Sequence, residues 1–283
     1  MMINWRSVDQ IIDRALDEDI GTGDLTTLAT VAPDAVTNAY IYAKEDGVVA
    51  GLQVAERVFI RLDNQIKFVA KKTDGDRFSA GDILAEVSGS ARAILTGERT
   101  ALNLIQRMSG IATMTSRLVD KISGCSSVLV DTRKTAPGLR LLDKFAVTAG
   151  GGSNHRFGLF DGVLIKDNHI KSAGGIKKAV EKARLTVPHT VKIEVEVETM
   201  EALQEALEAG ADIIMLDNMS PGKIREAAAA VNGQALLEVS GGITEDNILE
   251  YAKAGVDLIS VGGITHSVKA LDISLDVREI KVR

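Results

Sequence analysis

The chain has 283 residues, 45% hydrophobic and 25% charged, which suits one large globular domain or two moderate ones with a sizeable core. Its formal net charge of −6 argues against non-specific binding to nucleic acid, and no stretch approaches the ~18 consecutive apolar residues of a membrane span. A single cysteine, Cys125, excludes an intramolecular disulfide and a cysteine-rich zinc site, and the opening MMINWRSVDQ lacks the basic start and apolar run of a secretory signal, so a cytoplasmic location is expected.

Val8, Ile11, Ile12, Ala15 and Leu16 fall on one helical face, with Ser7 and Gln10 at capping-box spacing. This helix is predicted to end near Ile20-Gly21, and Gly21-Thr22-Gly23-Asp24 reads as a loop. Short β-prone segments follow at 39–43, 47–50, 66–69 and 81–87, with a helix at 52–62. Two helical stretches are predicted next, at about 92–108 and 111–123.

After Gly124 the pattern changes to short apolar runs that end in polar residues. They lie at 128–131, 162–166, 192–196, 213–217, 236–240 and 258–262, with helical stretches between. The last four recur every ~20–23 residues, the length of one strand, one helix and two short loops. Repeated β-α units imply a parallel sheet, and six of them favour a barrel over an open sheet. The expected organisation is therefore α/β: an α+β domain over 1–110, a β/α barrel over 111–267, and a tail over 268–283 that returns to the first domain.

In β/α barrels the catalytic groups sit at the C-terminal ends of the strands. Here those ends carry Thr132-Arg133-Lys134, Lys166, Glu194 and Glu196, Asp217, Ser240-Gly241-Gly242 and Val261-Gly262-Gly263, with His155-Arg156 between the first two. One mouth would collect Arg133, Lys134, His155, Arg156 and Lys166 together with Glu196 and Asp217. The cations suit a polyanion, since arginine binds carboxylate or phosphate bidentately. The carboxylates suit a divalent metal or a developing positive charge. The glycine loops offer backbone N–H groups to a phosphate. Plainer readings exist for each: Asp217-Asn218 as a loop or cap, the Gly-Gly pairs as turns, and Lys166 as a surface charge or a Schiff-base lysine. Glu194 and Glu196 share one face, so both point into the barrel or both point out.

Three motifs carry a resemblance. Asp131-Thr132-Arg133-Lys134-Thr135-Ala136-Pro137-Gly138-Leu139-Arg140, Gly151-Gly152-Ser153-Asn154-His155-Arg156 and Leu164-Ile165-Lys166-Asp167-Asn168-His169 resemble, in order and at short spacing, the signature of the quinolinate phosphoribosyltransferases. Gly23-Asp24-Leu25-Thr26, Gly97-Glu98-Arg99-Thr100 and the later strand ends extend the likeness over essentially the whole chain. The resemblance implies an N-terminal α+β open sandwich plus an incomplete parallel barrel of fewer than eight strands. It implies transfer of phosphoribosyl from phosphoribosyl pyrophosphate to quinolinate, with decarboxylation to nicotinate mononucleotide. It implies a homodimer with shared active sites, with room for a higher oligomer, and Mg²⁺ as the cofactor. Arg133, His155, Arg156 and Lys166 would surround quinolinate, with Arg99 of the partner subunit. Lys134, Glu196 and Asp217 would be catalytic, the two acids holding the ribose hydroxyls and the metal. Thr132, Ser240, Gly241, Gly242, Val261, Gly262, Gly263 and His266 would hold phosphate.

Three other readings compete. A molybdenum-transport-associated relative would share the phosphoribosyl site but need not take the dicarboxylate. A Schiff-base aldolase would use Lys166. A biotinyl or lipoyl carrier is suggested by Gly75-Asp76 and the segment 81–87, but the chain continues into a helical stretch where a hairpin-tip lysine is required.

Overall fold

A computed structural model of the chain describes residues 3–282. In chain order its elements are α1 (Trp5–Ile20), α2 (Leu25–Thr30), β1 (Ala35–Ala43), β2 (Gly47–Val48), α3 (Leu52–Leu62), β3 (Lys67–Ala70), β4 (Arg77–Phe78), β5 (Ile83–Ser90) and α4 (Ala91–Ile122). There follow β6 (Val128–Val130), α5 (Arg140–Ala149), β7 (Val163–Ile165), α6 (Asp167–Ala173), α7 (Ile176–Thr186), β8 (Ile193–Val197), α8 (Met200–Glu208) and β9 (Ile213–Asp217). The last are α9 (Pro221–Val231), β10 (Leu236–Ser240), α10 (Ile248–Ala252), β11 (Leu258–Ser260), α11 (Gly263–His266) and β12 (Ile273–Val282).

The contacts divide the chain into two compact units. One holds the residues up to 116, with 135–151 and 267 onward; the other holds 117–134 and 152–266. The sequence division at 110 falls inside the continuous helix α4. Helix α5 lies within the span expected for the barrel, yet it groups with the first unit, where it touches α1.

The first unit is built on an antiparallel sheet in the order β12-β1-β5-β3. The tail forms its edge strand, pairing from Ala43↔Ile273 onward along β1. Alternate residues of β1 are buried, as expected of a sheet with one covered face. Helix α1 buries Val8, Ile12 and Leu16, the predicted stripe, but starts one turn earlier than the capping-box spacing suggests. Asn4 is its N-cap and accepts the Ser7 N–H. Gly51 is the N-cap of α3, its φ of 98° favours glycine, and Asp74 Oδ1 accepts the N–H groups of Gly51 and Leu52 there, 3.0 Å each.

The two predicted helical stretches 92–108 and 111–123 are one helix, α4. Gly110, which falls between the two stretches, is a point of close approach. A Cβ on Gly110 would lie 2.3 Å from the Lys269 carbonyl oxygen, so glycine is required by the neighbouring backbone and not by a turn.

The second unit carries a six-stranded sheet in the order β6-β11-β10-β9-β8-β7, with every pairing parallel. Strands β6 and β7 follow one another in sequence but occupy opposite edges of this sheet, so the barrel is incomplete. Residues Ile193, Val195, Ile214, Leu216, Leu237, Val239 and Ile259 supply buried apolar side chains. Burying such side chains contributes roughly 1.5–3 kcal/mol each. Buried on the same strands are two acids, Glu194 and Glu238.

Candidate active site

The second unit holds a cavity of about 630 Å³ at the C-terminal ends of its strands. Of the residues singled out in the sequence, Thr132, Arg133, Lys134, His155, Arg156, Lys166, Glu196, Asp217, Ser240, Gly241 and Gly242 line it. Leu164, Met215, Asn218, Glu238 and Ser260 complete the lining. Val261, Gly262, Gly263 and His266 are outside this lining. Val261 and Gly262 follow β11, and Gly263 and His266 belong to α11; here Thr265 Oγ1 donates to the Lys134 carbonyl (2.8 Å) and a Cβ on Gly262 would meet Lys134 and His266 at 3.0 and 3.2 Å. Arg99 is an exposed residue of α4 in the first unit.

His155, Arg156 and Lys166 are each held by a local device. Asp131, fully buried at the end of β6, accepts from the His155 N–H (2.9 Å) and from Asn154 Nδ2 (2.7 Å), which pins the 154–156 segment to the strand end. Asp161 accepts the N–H groups of Phe157 and Gly158 and folds the next turn. Arg156 then donates from Nη1 to the Gly162 carbonyl at 2.9 Å. Burial, followed by the nearby Arg133, pulls the Arg156 pKa below its ordinary value, while Glu194 and Asp161 oppose that pull. A guanidinium that stands beside a second one in this way is suited to an anion that screens the two charges.

Lys166 follows β7, and its backbone N–H donates to His169 Nδ1 at 2.9 Å. Its Nζ bonds Glu196 Oε2, so two residues assigned by sequence to separate roles form an ion pair. Asp217 ends β9, and its Oδ2 accepts from Asn218 Nδ2 at 2.8 Å. Asn218 sits in the left-handed region at φ 55° and donates its N–H to the Ser240 carbonyl. A non-glycine residue held there marks a constrained position.

The constraint reaches Gly241. Its φ is 96°, and a Cβ there would lie 2.2 Å from Asn218 Oδ1. Gly241→Ala is therefore expected to displace Asn218 and, through it, the Asp217 carboxylate. A loss in kcat/KM of roughly tenfold or more is expected, as for other groups that orient a reacting residue. Steady-state kinetics beside a thermal melt checks this; wild-type kinetics in a folded variant contradicts it.

Sequence reasoning missed the buried acid pair. Glu194 and Glu238 both face His155, whose Nε2 is 3.1 Å from Glu194 Oε2 and 3.6 Å from Glu238 Oε1. Burial first, and then Glu194, push the Glu238 carboxyl up to about 7. The signal was present, since Glu238 interrupts the apolar run Leu236-Leu237-Glu238-Val239 of a strand buried on both faces. Among the described residues, these three form a cluster with metal-ligating atoms within 4.8 Å of one another.

An incomplete parallel β/α barrel, with charged strand ends around one cavity, defines an enzyme of the barrel class. Family models described as the N-terminal and C-terminal domains of quinolinate phosphoribosyl transferase match residues 24–109 and 111–276. The chain belongs to the quinolinate phosphoribosyltransferase family. A probable carboxylating nicotinate-nucleotide pyrophosphorylase of Bacillus subtilis is 47% identical over 97% of this chain and 95% of its own length. A protein of the same description from Methanocaldococcus jannaschii is 46% identical over 95% of this chain and 96% of its own length. The solved nicotinate-nucleotide pyrophosphorylase of Francisella tularensis superposes with a TM-score of 0.94 at 45% identity, covering 98% of each chain. No helix among the described residues is long and apolar enough to cross a membrane.

Proposed function

We propose that the protein transfers phosphoribosyl from phosphoribosyl pyrophosphate to quinolinate with loss of CO₂, giving nicotinate mononucleotide and pyrophosphate for NAD biosynthesis. The observation that carries this reading is the lining of one cavity. Arg133, Lys134, Arg156 and Lys166 share it with Glu196, Asp217 and the turn Ser240-Gly241-Gly242. Quinolinate is a dianion and the second substrate carries several more negative charges, so their encounter needs a cation-rich mouth.

In this reading Arg133, Arg156 and Lys166 orient the two carboxylates, and Lys134 lies near both substrates. The turn 240–242 and the segment after β11, with Val261, Gly262, Gly263 and His266, bind phosphate. Glu196 and Asp217 face the ribose and stabilise the positive charge that grows at its anomeric carbon as the pyrophosphate bond breaks. Both are hard oxygen donors lining the cavity. They fit Mg²⁺, which is commonly held by one or two carboxylates and substrate phosphates. When bound, Mg²⁺ would neutralise charge on the pyrophosphate. The quinolinate nitrogen attacks the anomeric carbon and becomes cationic. The adjacent ring carbon then loses CO₂, keeps the electron pair and takes a proton, and the positive ring nitrogen stabilises that pair.

The reading extends to a homodimer in which Arg99 of the partner subunit reaches the dicarboxylate. It also extends to a cytoplasmic location, in keeping with a chain whose one cysteine, Cys125, is free. A Schiff-base role for Lys166 is disfavoured, because its Nζ is paired with Glu196 and an ion-paired ammonium is a poor nucleophile.

The experiment is a comparison of quinolinate with nicotinate as acceptor. Removing one carboxylate leaves part of the cation set without a partner once the bound acceptor has covered it, which is costly. Nicotinate is expected to show kcat/KM lower by at least ~100-fold, equivalent to about 2.7 kcal/mol. Comparable values for the two acids would refute the assignment of the cation cluster to a dicarboxylate.

A further inference from the structure

The roles set out above leave the buried carboxyls of Glu194 on β8 and Glu238 on β10 unused. They are 3% and 1% exposed, and the Oε1 atom of each accepts no hydrogen bond within the protein. Both face the same ring. His155 Nε2 lies 3.1 Å from Glu194 Oε2 and 3.6 Å from Glu238 Oε1. The other ring nitrogen, Nδ1, accepts the backbone N–H of Arg156 at 2.7 Å. A nitrogen that accepts carries no proton, so the ring proton belongs on Nε2, aimed at the acids. An imidazolium would set an N–H of the ring against the N–H of Arg156. Both nitrogens of His155 thus have partners within the protein, Nδ1 in the Arg156 N–H and Nε2 in the two acids.

We propose that Glu194 and Glu238 are positioning residues for the acceptor half of the site: they lock His155 in the Nε2–H tautomer, and the locked ring fixes Arg156. The inference rests on the reading that Arg156 binds the dicarboxylate. Arg156 is held at two points, its backbone N–H by His155 Nδ1 and its Nη1 by the Gly162 carbonyl. An arginine held at its backbone and at one guanidinium nitrogen keeps its remaining donors in one direction, which is what recognition of a planar dicarboxylate requires. Glu194 also favours the charged form of Arg156. The three ligand-type atoms are close enough for a cation. A cation there would have to displace the Nε2 proton and stand beside Arg156 and Arg133, both positive, so the hydrogen-bonded reading is favoured.

The test uses full-length protein labelled with ¹⁵N-histidine. The chain has four histidines, so the His155 signal is assignable by His155→Gln. At neutral pH the wild-type ring is expected as the neutral Nε2–H tautomer. In the near-isosteric variants Glu194→Gln and Glu238→Gln, that tautomer is expected to lose its dominance. The KM for quinolinate should rise on the order of tenfold in each, with the KM for phosphoribosyl pyrophosphate within about twofold of wild type, a scale typical of groups that orient a binding residue. An imidazolium or an Nδ1–H ring in the wild type overturns the proposal. So does an unchanged quinolinate KM in both variants, or one equivalent of Zn²⁺ binding tightly at the His155 signal. The tautomer is read without substrate, so its failure is distinct from failure of the acceptor assignment, which would appear as wild-type protein that does not turn over quinolinate.

Discussion

Glu196→Gln and Asp217→Asn are each expected to lower kcat by ~10²-fold or more while the protein stays folded. Both changes keep shape and remove one negative charge at the end of adjacent strands β8 and β9. That charge is needed where positive charge grows on the ribose carbon and where a metal would sit. Glu196 has a second task, the ion pair with Lys166, so its replacement also frees a cation in the acceptor half. The pair is partly exposed, with the Lys166 side chain at 45%, so its contribution to stability is small and the melting temperature should barely move. Steady-state rates at saturating Mg²⁺, beside thermal melts, separate the cases. Near-normal kcat in both variants would mean that these acids do not meet the reacting centre.

The second large effect concerns Arg99. It is exposed on α4, beside the half-buried Glu98, whose carboxyl is pushed up by burial and pulled back by Arg99. A surface pair of this kind is worth little for stability. In the proposed dimer, Arg99→Ala removes a cation from the neighbour's acceptor site, and Lys166→Ala removes one from the site that the same chain owns. Each homodimer is expected to be nearly inactive. A heterodimer of the two variants has one site with both defects and one site with none. Mixing by co-expression should restore activity to about half per heterodimer by this site count. A purified heterodimer as inactive as both parents would show that Arg99 does not act across an interface.

Much of this was legible in the sequence because strand ends are. In a β/α unit the polar residue that ends an apolar run must emerge at one side of the sheet, so Arg133, Lys166, Glu196, Asp217 and Ser240 could be grouped before any coordinates. Their shared cavity follows from that rule. What periodicity could not resolve was pairing. Glu194 and Glu196 share a face, but nothing in their spacing says that the first reaches His155 and the second Lys166. Nor could composition say that Gly110 answers the carbonyl of Lys269, some 160 residues away, since a glycine in a helical pattern reads locally as a break. The same limit applies to Gly241. It was read as a phosphate turn, and nothing in the local sequence says that a Cβ there would also meet the side chain of Asn218. The N-terminus of α1 was misjudged for a smaller reason: Asn4 and Ser7 both suit a cap, and the first of them takes it.

The central claim is that a phosphoribosyl transfer and a decarboxylation occur on one pyridine ring in one cavity. Quinolinate carrying an isotopic label in the carboxyl next to the ring nitrogen tests it most directly. Incubated with the protein, phosphoribosyl pyrophosphate and Mg²⁺, it should release one labelled CO₂ for each nicotinate mononucleotide formed, and none when phosphoribosyl pyrophosphate is omitted. Nucleotide that retains the label, or labelled CO₂ released without the phosphoribosyl donor, would contradict the account.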